Sequence, residues 1–587
     1  MPAPLVPAEP SSWPSSPPSL EATGQLSAAG PGGPVLPGLA VASLLSACGG
    51  GGGGDPAPAP PPPAPPPPAP PPAPVLPTDA QAARFLAQAG FAATADDIAA
   101  VKARNYSGWL DEQLAMPQQG VSRVQWLIDN GYVVEANVSS FAGADASIWR
   151  KLIASPDVVR QRMTLALSEI LVVGMGGLPI AWRNVAIAHY VDLLEKHAFG
   201  NFRDLLQDVT LSTAMGTYLN MQGNRKEDPR TGRVPDENYA REVMQLFTIG
   251  LLQLNLDGSP KTSGGKPIET YGQTDITQLA RVFTGWVNDR TAGVPAVSDA
   301  AYPTRPMRND GSQYQAGDKI VLGTVIAGSL SPAQALSQAL DILFRDPNVG
   351  PFIGRQLIQR FTLSHPSPAY VARVASAFND NGSGVRGDLK AVLRAVLLDI
   401  EARATPTGSA SGRLREPIQR LIQWARTFGA VSSTSGRWAI GDLSDPGTRL
   451  GQSPSRSPSV FNFFRPGYVP PGNELALNGV TAPEFQLVNE SSVAGYLNYM
   501  QGVVQNGLAN GDIAPNYATE LALANDATAL LQHLNLRLAA NGLSSATVAA
   551  LATAVNSIAA TSDANRLARV RAAVLLVMAA PEYLVQR

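Results

Sequence analysis

From Asp79 to the end of the chain, apolar residues recur with a helical period, and clusters of Pro, Gly and Asn interrupt them. Behind Ser155-Pro156, read as an N-cap with proline at the first helical position, Val159, Met163, Ala166, Ile170 and Val173 fall at i, i+4, i+7, i+11 and i+14. Such spacing gives a core-facing stripe. Comparable patterns predict helices over 79–90, 106–116, 180–199, 200–211, 236–250, 274–287, 331–345, 347–361, 367–379, 388–399, 413–429, 518–539 and 562–580. Strand-like alternation is confined to short pieces near Lys319 to Ile326. The expected fold is mainly α: one large multi-helix domain over 79–587, with a few long ordered loops and little or no sheet.

The loops are 251–273, 289–330 and the passage from Leu450 to Asn473. Long connections inside a compact domain are usually functional or disordered. The last is expected to be ordered, because Phe461, Phe463, Phe464 and Tyr468 are costly to leave in water.

Composition changes this picture only at the amino-terminal end. With 44 basic and 46 acidic residues in 587, the net charge of −2 supplies no field for nucleic acid or an anionic surface, so no nucleic-acid partner is expected. A single cysteine, Cys48, rules out an internal disulfide and a cysteine zinc cluster. Val35 to Ala47 is an apolar run of 13 residues, short of the roughly 20 that span a membrane and suited to a signal-peptide core. It ends at Leu45-Ser46-Ala47-Cys48, which resembles the bacterial lipobox. That resemblance implies a leader over 1–47, cleavage before Cys48 and acylation of Cys48. Gly49, where Asp is absent, implies the outer membrane of the cell envelope under the usual sorting rule. The leader is atypical, since no Lys or Arg precedes Arg84; a start assigned too far upstream accounts for this. Behind Cys48, Gly49 to Gly54 and the Pro/Ala repetition from Pro56 to Pro77 form a tether over 48–78, which as polyproline II reaches roughly 60 Å.

Several segments of the domain resemble the bacterial domain-of-unknown-function 1800 family. They include ARFLAQAGF (Ala83 to Phe91), RQRMTLALSEI (Arg160 to Ile170), HAFGNFRDLL (His197 to Leu206), DENYAREVMQLFTIGL (Asp236 to Leu251), LARVFTGW (Leu279 to Trp286) and SVFNFFRPGYVPPG (Ser459 to Gly472). The resemblance runs from residue 80 to the C-terminal APEYLVQR and carries no settled activity. It implies export, and a candidate partner in the exported domain-of-unknown-function 1501 family, which is similar to alkaline-phosphatase-like enzymes.

Two constellations carry candidate chemistry. On the helix starting near Asp236, Tyr239, Val243, Leu246, Phe247 and Gly250 share one face, and Asn238, Arg241, Glu242 and Gln245 another. Glu237, Asn238, Arg241 and Glu242 can line a cleft with a carboxylate as base or metal ligand, or form an interhelical salt-bridge and capping network. His197, near Asn201, Arg203 and Asp204, can act as a base or ligand, or bond a carbonyl at the end of its own helix, with Gly200 as its C-cap. His189 lies near the same face, without HExxH spacing. Asn379 to Gly384 opens like a calcium loop, but Lys390 stands where a bidentate Glu is needed; a tight turn capped by Asp388 is the favoured reading. No GxSxG elbow, P-loop or GxGxxG fingerprint occurs. The expected role is a lipid-anchored envelope protein acting with an exported partner. The alternative is an extracytoplasmic metal-assisted hydrolase or oxidoreductase with a site around His197 and the Glu237 to Glu242 helix.

Overall fold

Thr78 sets the first helix: its hydroxyl accepts the N–H of Gln81, whose side chain returns to the Thr78 N–H, and Asp79–Ala89 follows. Thr94 and Asp97 repeat the device before Ala95–Ala115. The computed structural model describes residues 76–405, 407–408 and 411–587. Cys48, the apolar run before it and the tether as far as residue 75 lie outside these residues. Among the described residues there are 23 α-helices and five two-stranded sheets, so the domain is mainly α. Buried apolar side chains from Ala82 to Tyr583 form one continuous core. No described helix is long and apolar enough to cross a membrane.

Most predicted helices stand within a few residues of their expected ends, and the differences have local causes. The 236–250 helix stops early: Asn238–Gln245 closes where the N–H groups of Ile249 and Gly250 both return to the Met244 carbonyl and the Thr248 hydroxyl donates to Val243 O. The 518–539 stretch is split into Ala518–Leu523 and Ala527–Ala539, because Asp526 caps the second through the N–H groups of Thr528 and Ala529. Ser155 is not the N-cap of the helix after it; it terminates Ala144–Ala154 and donates its hydroxyl to Asp157, which precedes Val158–Ile170. The helix expected over 106–116 is the second part of Ala95–Ala115, beyond a kink at Asn105 with φ 61°. Lys319–Val321 and Thr324–Ile326 form the expected hairpin, turned by Leu322 and Gly323 at φ 47° and 74°.

Three elements position the groove described next. Val349–Phe361 packs on Pro368–Asn379, where a Cβ on Gly354 would lie 3.0 Å from Val374, so glycine permits the close approach. The loop after Gln245 turns at Gly250 (φ 71°) directly over the Phe352 ring. The 450–473 passage is ordered, with Phe464 buried and Arg360 over its ring at 4.3 Å.

Candidate functional site

His197 closes the Arg183–His197 helix, and its Nε2 lies 2.7 Å from Asp208 rather than at a carbonyl of its own helix. Lys196 Nζ donates to the same oxygen at 2.8 Å. The His197 hydrogen bond, outweighing burial with help from Lys196, holds the Asp208 carboxyl down at about 2. Gly200 donates its N–H to His197 O, Asn201 caps Phe202–Leu211, and Arg203 pairs with Asp341 at 2.6 Å. Burial pushes His189 down.

Glu237 accepts from Gln273 Nε2 at 2.8 and 2.9 Å and from the Thr277 hydroxyl at 2.7 Å, with Arg241 at 3.5 Å. These bonds fasten Asn238–Gln245 to Gln273–Val282. The Asn238 N–H donates to Asp236. Glu242 departs from the expected polar face: it is 8% exposed, one of its oxygens has no partner, and burial pushes its carboxyl up against the pull of Arg241. His197 shares no hydrogen bond or ion pair with this helix among the described residues. Asp388 caps Leu389–Leu397, and Asp380 and Asn381 spend their side-chain oxygens on backbone N–H groups of residues 382–385. No cluster of three or more His, Cys, Asp or Glu suited to a metal occurs among the described residues. Trp286, Trp424 and Trp438 are core.

A different set of residues meets at a groove of about 490 Å³. Its walls are Leu246, Leu251, Leu252, Leu254, Phe352 and Phe461, and its polar atoms come from Gln245, Arg355, Gln356, Gln359, Arg465 and Thr481. No Asp, Glu, Ser or Cys lines it. Clefts of about 650 and 780 Å³ elsewhere are more voluminous, but neither has a continuous wall of leucine and phenylalanine side chains. Apolar walls with a few convergent polar groups are the usual make-up of a small-molecule site.

Arg355, half-buried on Val349–Phe361, has no hydrogen bond or ion pair among the described residues, and burial alone pushes its guanidinium down. Gln356 Nε2, beside it, is buried without a partner. Thr481 donates its N–H to His365 Nδ1 at 3.1 Å, and its hydroxyl oxygen lies 3.0 Å from the same nitrogen; burial first and the Arg355 charge second push the imidazole down. The Thr481 hydroxyl donates to Ser364 O, and the Ser364 hydroxyl to Glu484.

Behind Glu484 lies a buried network. Arg413 pairs with Glu416 at 2.5 Å and Glu484 at 3.6 Å, and Arg360 with Glu169 at 3.4 Å. Burial foremost and then the Glu416 charge drive the Glu169 carboxyl well up, against the pull of Arg360 and Arg162. Burial also opposes ionisation of Glu416, but Arg413, Arg360 and Arg162 outweigh it and hold that carboxyl at about 2.

Sequence reasoning missed Arg355 because the groove joins residues 245–260, 351–359 and 461–481, which no motif spacing connects. One signal was present: Pro351, Phe352, Ile358 and Gln359, its neighbours at helical spacing, include no acid. Two segments carrying the family resemblance, Asp236 to Leu251 and Ser459 to Gly472, both supply walls.

The model of the family described as "Protein of unknown function (DUF1800)" matches residues 84–585. No curated protein matches the chain, and no solved structure does.

Proposed function

We propose that this chain, which belongs to the DUF1800 family of proteins of unknown function, is a lipid-anchored protein of the bacterial envelope whose helical domain holds an apolar ligand in the Arg355 groove. The observation that carries the binding part is an apolar cavity of small-molecule size with unpartnered polar groups at Arg355 and Gln356. The lining offers no Ser, Cys or carboxylate, and its one hydroxyl, that of Thr481, donates to the Ser364 carbonyl, which favours capture over chemistry. Support for the anchor is the lipobox-like Leu45 to Cys48 followed by a Gly- and Pro-rich spacer. An exported partner, the family-1501 candidate included, would receive or deliver that ligand.

Nile red, a neutral apolar dye, is expected to brighten on binding the full chain. Leu251→Asp, at a wall residue 55% exposed and so tolerant of substitution, is expected to abolish the effect without moving the melting temperature. Equal brightening by the two proteins would place the dye elsewhere and remove the case for the groove. The catalytic reading retains one observation, the unpartnered carboxyl of Glu242 raised by burial. Its metal-assisted form requires metal to accompany the purified protein, and metal-free protein would count against it.

A further inference from the structure

Resting on the reading of the groove as a binding site, we propose that its ligand is a long-chain carboxylate whose head is held by Arg355 and Gln356 and whose alkyl chain lies on the leucine and phenylalanine walls.

Arg355 is half-buried, burial already presses on its charge, and a guanidinium that loses the rest of its water to an apolar ligand without a counter-ion is strongly destabilised. Arg355 has no ion pair among the described residues, and the groove wall contains no acid that a small rotamer change would bring to it. The missing anion is therefore supplied from outside. A carboxylate matches the planar fork of arginine with two parallel charge-assisted bonds. Gln356, next in the chain and also on the groove wall, has its Nε2 buried with no acceptor and is a further neutral donor.

The charge count selects a monoanion. Arg465 is exposed, with its guanidinium over the Phe461 ring at 4.9 Å. Of the two cations on the walls, Arg355 alone is half-buried, and one half-buried guanidinium suits a monoanion better than a phosphate dianion. An alkyl chain also fits the remaining polarity better than a peptide does. An extended peptide brings an N–H and a C=O with every residue, each needing a partner. Gln359 and Thr481 already spend their donors on Ser364 O. Methylene groups need none, and each one buried contributes favourably.

The test is calorimetric titration of the full chain with dodecanoate, dodecanol, dodecyl phosphate and a peptide ending in three leucines. Dodecanoate is expected to bind about tenfold tighter than dodecanol, the increment of one charge-assisted pair. Arg355→Gln is expected to erase that preference, and to keep or raise the melting temperature, since it removes a half-buried charge without a partner. Equal affinity for dodecanoate and dodecanol, or a preference that survives Arg355→Gln, overturns the head-group assignment and leaves the groove reading standing. Tighter binding of dodecyl phosphate or of the peptide replaces the ligand class and overturns the carboxylate. Binding of none of the four overturns the groove reading itself.

Discussion

Glu169 and Glu416 are the same side chain in one buried network, with their carboxyls pushed in opposite directions. Glu169 is driven up by burial and its neighbour's charge, and Glu416 is held at about 2 by three guanidiniums that outweigh its burial. Glutamine reproduces a protonated glutamate in shape and donor capacity, so Glu169→Gln is expected to change stability by less than about 1 kcal/mol. Glu416→Gln leaves Arg413 facing an uncharged group and is expected to cost about 3–5 kcal/mol in urea unfolding. The two variants also differ in pH response. A raised folded-state pKa gives stability that is full below the ordinary glutamate value of 4.5 and is lost as pH rises through the folded value. Glu169→Gln should therefore gain on the wild type from pH 4.5 upward. Equal costs for the two variants would show that the pair is not split as described. Residues of this kind were the least legible in the sequence. Glu237 and Arg241 could be read as a network by helical spacing, and they form one. Glu169 and Glu416 meet across 247 positions, a pairing that only the fold creates.

At the scale of single elements, the helix Glu490–Asn506 offers a paired test, because two glycines in it sit in different surroundings. A Cβ on Gly495 would strike the backbone of Pro446 and Gly447, whereas one on Gly502 meets nothing within 4 Å. Gly502→Ala is expected to stabilise the protein by about 0.5–1 kcal/mol through reduced backbone entropy. Gly495→Ala gains the same propensity but must push the 446–447 backbone away, and it is expected to be destabilising by thermal melting. If both variants shift alike, the helix does not press on that turn. The same helix illustrates what periodicity missed. Along with Arg123–Asp129, Ala144–Ala154, Thr213–Tyr218 and Ser545–Asn556 it was not predicted. In Ser545–Asn556 small apolar residues occupy all faces and only Val555 is fully buried, so no polar contrast marks a stripe. Thr213–Tyr218 is too short to show a period. Elements with a real core face, such as Pro332–Arg345 behind its Ser331 capping box, were legible from both stripe and cap.

For the molecule as a whole, where it works is the proposal that its single cysteine makes most testable. No described helix is long and apolar enough to cross a membrane, and the proposed anchor is Cys48. Two or more acyl chains on that residue give lasting attachment, whereas one gives only marginal binding. Cys48→Ala is therefore expected to lose acyl labelling and to move the protein from the membrane to the soluble fraction, with its melting temperature unchanged because the domain is untouched. Wild-type protein released by salt or carbonate washing would show that the hold is not covalent lipid. A Cys48→Ala variant that still fractionates with membranes would transfer the attachment to the domain surface, and the leader would then have to be read as something other than a lipoprotein signal.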